Sequence, residues 1–123
     1  MVPKIICGVD RMARTLRPDS LTVDEIARRM RDVFKRNGNE RAILFGSFAR
    51  GRQSKRSDVD LILIQKTDKP YFERFEGILG DLNRTVSGRH IEVFIYTPGE
   101  LEQMKGRKFI ERALQEGKVL YES

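Results

Sequence analysis

The sequence predicts a small α/β protein with a mixed, twisted β-sheet and helices packed mainly on one face. Three short apolar runs rich in β-branched and aromatic residues, at 42–45, 59–64 and 91–96, are typical of strands. Two further segments, 22–37 and 70–84, instead carry apolar residues at helical spacing. The second of these segments lies between two predicted strands, so it would connect them and cover one face of the sheet.

Residues 1–20 are interpreted as an N-terminal extension that precedes a single domain of residues 21–123. The first helix of this domain begins at Thr22, because the pattern Thr-Val-Asp-Glu is typical of a capping box. Its end is predicted at Asn37-Gly38. Its buried face would consist of the apolar residues at helical spacing, which are Ile26, Met30, Val33 and Phe34.

The second helix is predicted to begin at Pro70, with Asp68 as its cap. Its buried stripe would comprise Tyr71, Phe75, Ile78, Leu79 and Leu82. After the third strand, a short helix is expected from Thr97 to Met104, and a final helix that stops at Gly117. Either the N-terminal arm or the apolar run 119–121 could extend the sheet.

The composition is typical of a globular protein with an anionic partner. Hydrophobic residues make up 39% and charged residues 34%, and the net charge of +6 favours a nucleotide, a nucleic acid or an acidic protein surface. No apolar run approaches the roughly 20 residues that span a bilayer. The single cysteine and single histidine argue against an internal disulfide and against the usual zinc site. Because the start of the chain also lacks the features of a signal peptide, we expect a cytoplasmic protein.

A turn of small residues follows the first strand and is a candidate phosphate site. Gly46 permits backbone conformations closed to other residues and lets a phosphate approach the main chain. Ser47 is placed to cap a short helical turn, whose amide groups would then point at an anion. A basic loop surrounds this turn with positive charge from Arg50, Arg52, Lys55 and Arg56.

The second strand presents two carboxylates. Asp58 and Asp60 are two residues apart, so they point to the same face. Carboxylates this close repel each other unless a cation neutralises them, and an all-oxygen pair suits Mg²⁺, which takes further ligands from substrate phosphates. Metal, phosphate cradle and cationic loop together indicate nucleotide phosphoryl chemistry. Glu92 lies near the start of the third strand, where a charge is costly unless it is paired, bound to a metal or exposed at the strand's end. The residues alone leave these three interpretations open.

The segment Gly-Ser-Phe-Ala-Arg-Gly at 46–51, followed after five residues by Ser-Asp-Val-Asp-Leu at 57–61, resembles the signature of the minimal nucleotidyltransferases. These are small members of the DNA-polymerase-β-like superfamily, and the resemblance implies that fold, with Mg²⁺ as cofactor and ATP as substrate. It implies that the catalytic and metal-binding residues are Asp58, Asp60 and Glu92. It also implies that the nucleotide is bound by Gly46, Ser47, Arg50 and Ser57.

One residue departs from the family pattern. The minimal nucleotidyltransferases more often have aspartate where this chain has Glu92, whose side chain is longer by one methylene. Because precise placement matters most for the reaction itself, this change is expected to weaken catalysis more than it weakens Mg²⁺ or ATP binding.

The resemblance also implies a partner. Members of this family commonly act as antitoxins to a small helical HEPN ribonuclease, and some adenylylate a tyrosine of that toxin. The chain would therefore transfer a nucleoside monophosphate, with AMP from ATP the expected one, to a hydroxyl of a HEPN-type toxin. Two alternatives stay open: an antitoxin that keeps the fold and acts by binding alone, and a basic RNA-binding or RNA-modifying protein. The oligomeric state also stays open.

Overall fold

A five-stranded sheet forms the frame of the protein. The computed structural model describes residues 5–7, 22–46, 48–49, 58–86 and 88–123. In chain order, the elements in these residues are β1 (Ile5–Cys7), α1 (Val23–Arg36), β2 (Asn39–Phe45), β3 (Val59–Gln65), a 3₁₀ helix (Tyr71–Phe75), α2 (Ile78–Thr85), β4 (Ile91–Tyr96), α3 (Pro98–Met104), α4 (Lys108–Glu116) and β5 (Lys118–Glu122).

The sheet is mixed, as predicted. Its strand order is β1-β4-β3-β2-β5, in which β3 and β4 are parallel and the other neighbouring pairs are antiparallel. The three predicted strands form its centre. Both of the segments considered as extensions join it, because β1 pairs with β4 at one edge and β5 pairs with β2 at the other. The division at residue 20 stays a prediction, and within the extension the structure describes Ile5–Cys7 alone.

Side chains of β3 alternate between two apolar clusters on opposite faces of the sheet. Val59, Leu61 and Leu63 pack with α1 and α2, whereas Ile62 and Ile64 pack with α3 and α4. The first face therefore carries the two helical segments that the sequence predicts there. The two short helices after β4 cover part of the second face, and the acidic residues at the start of β3 and β4 stay partly exposed on it.

The first helix forms as its sequence predicts. The Thr22 hydroxyl accepts a hydrogen bond from the Glu25 amide at 3.2 Å and caps the helix. The predicted apolar stripe is fully buried against the sheet. Gly38 ends the helix with φ of +72°, a conformation that glycine adopts at little cost.

The sequence predicts one continuous second helix over 70–84, and this prediction is wrong. The chain forms the 3₁₀ helix Tyr71–Phe75, breaks at Glu76-Gly77, and then forms α2. Gly77 has φ of +83°, which an α-helix cannot contain, so the helical spacing of the apolar residues is interrupted there. The Asp68 cap is also wrong, because Pro70 precedes the first turn and no side chain caps it. The apolar stripe itself packs as expected, with Phe75, Ile78 and Leu82 buried.

None of the helices in the described part of the chain has both the length and the apolar character that crossing a bilayer requires.

Candidate active site

Three carboxylates converge at the start of the parallel strand pair. Asp58, Asp60 and Glu92 each place one carboxylate oxygen within 4.8 Å of the others. Asp60 and Glu92 are direct neighbours across β3 and β4, and Asp58 stands two residues ahead of Asp60 on the same side of the chain. All three side chains are partly exposed. The structure thus assembles a group of hard oxygen donors that a substrate could reach.

The alternation of the strands explains why these side chains meet. Asp60 lies on the same face as Ile62, and Glu92 on the same face as Phe94, because residues two apart in a strand share a face. Ile62 and Phe94 belong to the apolar cluster under α3 and α4. The acidic residues continue these two rows past the edge of that cluster, so the sheet holds them side by side and partly exposed.

The donor set fits a divalent cation. Carboxylates crowded to this degree repel each other, and a hard cation such as Mg²⁺ both neutralises them and accepts oxygen ligands alone. Glu92 lies within this group in spite of its extra methylene. The longer side chain therefore does not remove it from the cluster, and its role as a ligand stays a prediction.

The turn after β2 lies directly against one of these carboxylates. Gly46 has φ of +76°, which disfavours every residue with a Cβ. A Cβ built at this position would also run into Oδ2 of Asp60, well inside van der Waals contact. Glycine is thus favoured here by its backbone conformation, and a Cβ would in addition force the Asp60 carboxylate to move. The main chain of the predicted phosphate turn is in contact with the predicted metal site.

The other predicted nucleotide-binding residues, Ser47, Arg50 and Ser57, lie outside the described residues, as does the basic loop between them. Their roles stay predictions. The described residues that adjoin them in the chain are Gly46, Phe48, Ala49 and Asp58.

The comparisons with known proteins agree with this geometry. Residues 23–121 match the model of a family described as the nucleotidyltransferase domain. The chain belongs to this family. No curated protein matches the sequence closely enough to be counted as a relative.

Two solved structures resemble this nucleotidyltransferase domain. One is a candidate nucleotidyltransferase from Sulfolobus solfataricus, with a TM-score of 0.53 and 16% identity over 90% of this chain and 92% of that chain. Its likeness confirms the α/β fold. The other is a chain from a toxin–antitoxin structure with AMP-PNP, with a TM-score of 0.47 and 17% identity over 84% of this chain and 75% of that chain.

Sequence reasoning missed a buried contact between two segments that lead into the candidate site of this nucleotidyltransferase domain. The Arg89 guanidinium lies over the ring of Phe48, with 4.7 Å from its central carbon to the ring centroid. Arg89 is 2% exposed and Phe48 is fully buried. The two residues are far apart in sequence, so no local pattern predicts the contact. The apolar Phe48 within a turn of small and basic residues was the one available signal.

A second missed interaction lies at the far end of β4. Arg74 donates hydrogen bonds to both carboxylate oxygens of Glu100, at 2.6 and 2.9 Å, and to the carbonyls of Lys69 and Ile95. The hydrogen bond from Arg74 is the main reason that the pKa of Glu100 lies below its usual value. Glu100 also completes a capping box with Thr97 at the start of α3. This ion pair joins the 3₁₀ helix to α3 and is structural.

Proposed function

We propose that this nucleotidyltransferase domain is a Mg²⁺-dependent enzyme that transfers AMP from ATP to a hydroxyl of a partner protein, and that it acts as the antitoxin of a HEPN-type toxin. The observation that carries the transferase part is the convergence of three carboxylates within 4.8 Å beside the Gly46 turn. Membership of the nucleotidyltransferase family supports the same reaction class. The protein acceptor and the toxin partner are supported by the resemblance of the signature at 46–61 to the minimal nucleotidyltransferases.

The proposed roles follow from the position of each side chain. Asp58 and Asp60 would hold Mg²⁺, and Glu92 would complete a second metal position. Metal ions at such a site help to activate the attacking hydroxyl and stabilise the leaving pyrophosphate. Gly46 and Ser47 would hold the β- and γ-phosphates through main-chain amides, with Arg50 and Ser57 as further contacts.

In the proposed reaction, the acceptor oxygen bonds to the α-phosphorus, the bond to pyrophosphate breaks and the hydroxyl gives up its proton. The protein's own contribution is to orient the reactants and place charge around the phosphates. The partial exposure of the carboxylates fits this role, because an acceptor hydroxyl must be able to reach the α-phosphate.

The test is incubation of purified protein with α-³²P-labelled ATP and Mg²⁺, alone and with the product of the adjacent gene as candidate acceptor. Wild type, Asp58→Asn/Asp60→Asn and the matched control Asp32→Asn would run side by side. Asp32 is an exposed aspartate on α1, away from the carboxylate group. The proposal expects label on the partner with wild type and with Asp32→Asn, and no label with the double variant. Mass spectrometry would then identify the modified residue.

Two other outcomes point to the alternative functions. A tight complex without label, formed equally by wild type and the double variant, would establish an antitoxin that acts by binding. Binding of RNA that persists at raised salt would favour the RNA-directed alternative, because simple phosphate contacts weaken steeply with salt. The first outcome contradicts the proposed transfer to a protein, and the second does so when no label appears on the partner.

A further inference from the structure

The Arg89–Phe48 contact joins two segments that lead into the candidate site, and the Phe48 ring packs in the apolar cluster on the opposite face of the sheet from the carboxylates. Phe48 is two residues after Gly46, whose main chain is against Asp60. Arg89 is three residues before Glu92 in the segment that leads into β4. The next residue, His90, accepts a hydrogen bond at its carbonyl from the Val59 amide, at 2.9 Å. The segment that carries Arg89 is therefore attached to the start of β3, between Asp58 and Asp60.

The contact joins two pieces of chain that no strand pairing joins directly. The turn follows β2, whereas Arg89 precedes β4, and β3 lies between these strands in the sheet. A guanidinium face over an aromatic ring is attractive, and more so when both groups are removed from water. With Arg89 2% exposed and Phe48 fully buried, this contact is desolvated on both sides. It can hold the turn against the strand that carries Glu92.

We infer that Arg89 is a positioning residue that holds the phosphate-binding turn in place through Phe48 and sets the affinity of the site for nucleoside triphosphate. The effect of Arg89 on nucleotide affinity rests on the proposed function. The contact itself can be tested without nucleotide. Arg89 acts through the turn, so it is not assigned a place among the groups that touch the reacting atoms.

Two substitutions isolate the contact. Arg89→Lys keeps the positive charge and removes the planar face, and Phe48→Leu keeps an apolar side chain and removes the ring. Each is expected to weaken binding of a non-hydrolysable ATP analogue roughly tenfold. Because both substitutions remove the same interaction, the affinity of the double variant should be no lower than that of the single variant with the lower affinity. A purely structural role for Arg89 predicts lower thermal stability with an unchanged Kd in the folded protein.

Arg74→Lys is the matched control. Arg74 is also a buried arginine over an aromatic ring, 5.7 Å from the centroid of Tyr71, and its side chain is 6% exposed. It lies beside Ile95 near the far end of β4. Arg74→Lys should therefore lower the melting temperature and leave nucleotide affinity unchanged within about twofold, by the general behaviour of distant sites.

Amide hydrogen exchange at Phe48 and Ala49, measured without nucleotide, is the direct readout of positioning. The inference expects faster exchange at these amides in Arg89→Lys and wild-type exchange in Arg74→Lys. Unchanged exchange in Arg89→Lys would overturn the inference even where wild type binds nucleotide. Wild-type protein that binds no nucleotide would instead overturn the proposed function and the affinity part of the inference, while the exchange data decide on the contact.

Discussion

The two ends of the parallel strands β3 and β4 carry charge in different arrangements. At the far end, Glu100 and Arg74 form a bidentate pair with hydrogen bonds of 2.6 and 2.9 Å. At the near end, Asp58, Asp60 and Glu92 place their oxygens within 4.8 Å of one another. The first arrangement is a matched pair of opposite charges, which stabilises the fold. The second concentrates negative charge at a partly exposed edge, which favours a bound cation. The same sheet thus has a structural end and a candidate catalytic end.

Replacing one carboxylate at the candidate catalytic end should have the largest effect on activity. Asp60→Asn is expected to lower the rate of nucleotidyl transfer roughly a hundred- to a thousandfold, because it removes a charge that places cation and phosphate in the transition state. The initial rate of label transfer under saturating ATP measures this loss. Asp32→Asn, which removes an exposed carboxylate from α1, should retain the wild-type rate. A retained rate in Asp60→Asn would show that the carboxylate group is not the reaction centre.

Alanine substitutions at two glycines separate the effect of the Gly46–Asp60 contact on stability from the effect of backbone strain. Gly46→Ala should lower the free energy of unfolding by about 2 kcal/mol, from strain at positive φ and from the shift that it forces on the Asp60 carboxylate. Gly38→Ala has nearly the same φ, +72°, and open space around the added Cβ, so it should lose only about 1 kcal/mol. Urea denaturation measures both. Equal losses would mean that the Asp60 contact contributes nothing.

Magnesium should stabilise the protein through the candidate catalytic end alone. At a concentration one hundred times its Kd, Mg²⁺ should raise the free energy of unfolding by about 2.7 kcal/mol, since it binds the folded state preferentially. Thermal unfolding with and without the ion measures this. Asp58→Asn/Asp60→Asn should lose the increase and Glu100→Gln should keep it. An equal response in the double variant would place the ion elsewhere on the protein.

The two ends of the strands also differ in how much of their structure could be predicted from the sequence. Asp58 and Asp60 are two residues apart in a predicted strand, so a local pattern was enough to predict that they lie together. Glu92 was placed with them by the resemblance to the minimal nucleotidyltransferases. The Thr22 cap of α1 is likewise a local pattern. The Arg74–Glu100 pair joins residues 26 positions apart, and its geometry depends on how the 3₁₀ helix meets α3. Contacts of this kind depend on tertiary packing.

The same distinction between local sequence patterns and tertiary packing explains two further features of the fold. The break at Gly77 was missed because a single glycine inside an apolar stripe is compatible with a continuous helix, and only packing decides which form occurs. The Arg89–Phe48 contact was missed because its partners are separated by the whole of β3 and the crossover. The sequence and its family resemblance thus predicted the carboxylates of the candidate site, whereas the Arg89–Phe48 contact could be found only in the structure.

The smallest effect is expected at the structural end, and it depends on pH. The pKa of Glu100 lies below its usual value because Arg74 donates hydrogen bonds to the charged form. This stabilisation is therefore present above the unfolded-state pKa, near 4.5, and is lost as pH falls through the lower folded-state value. Glu100→Gln keeps a side chain that can complete the capping box and removes the charge. Because the Glu100 side chain is 40% exposed, the loss at neutral pH should be only about 1 kcal/mol. Melting temperatures of wild type and Glu100→Gln should approach each other as pH falls from 6 to 3. A constant difference across this range would show that Arg74 does not stabilise the charged form of Glu100.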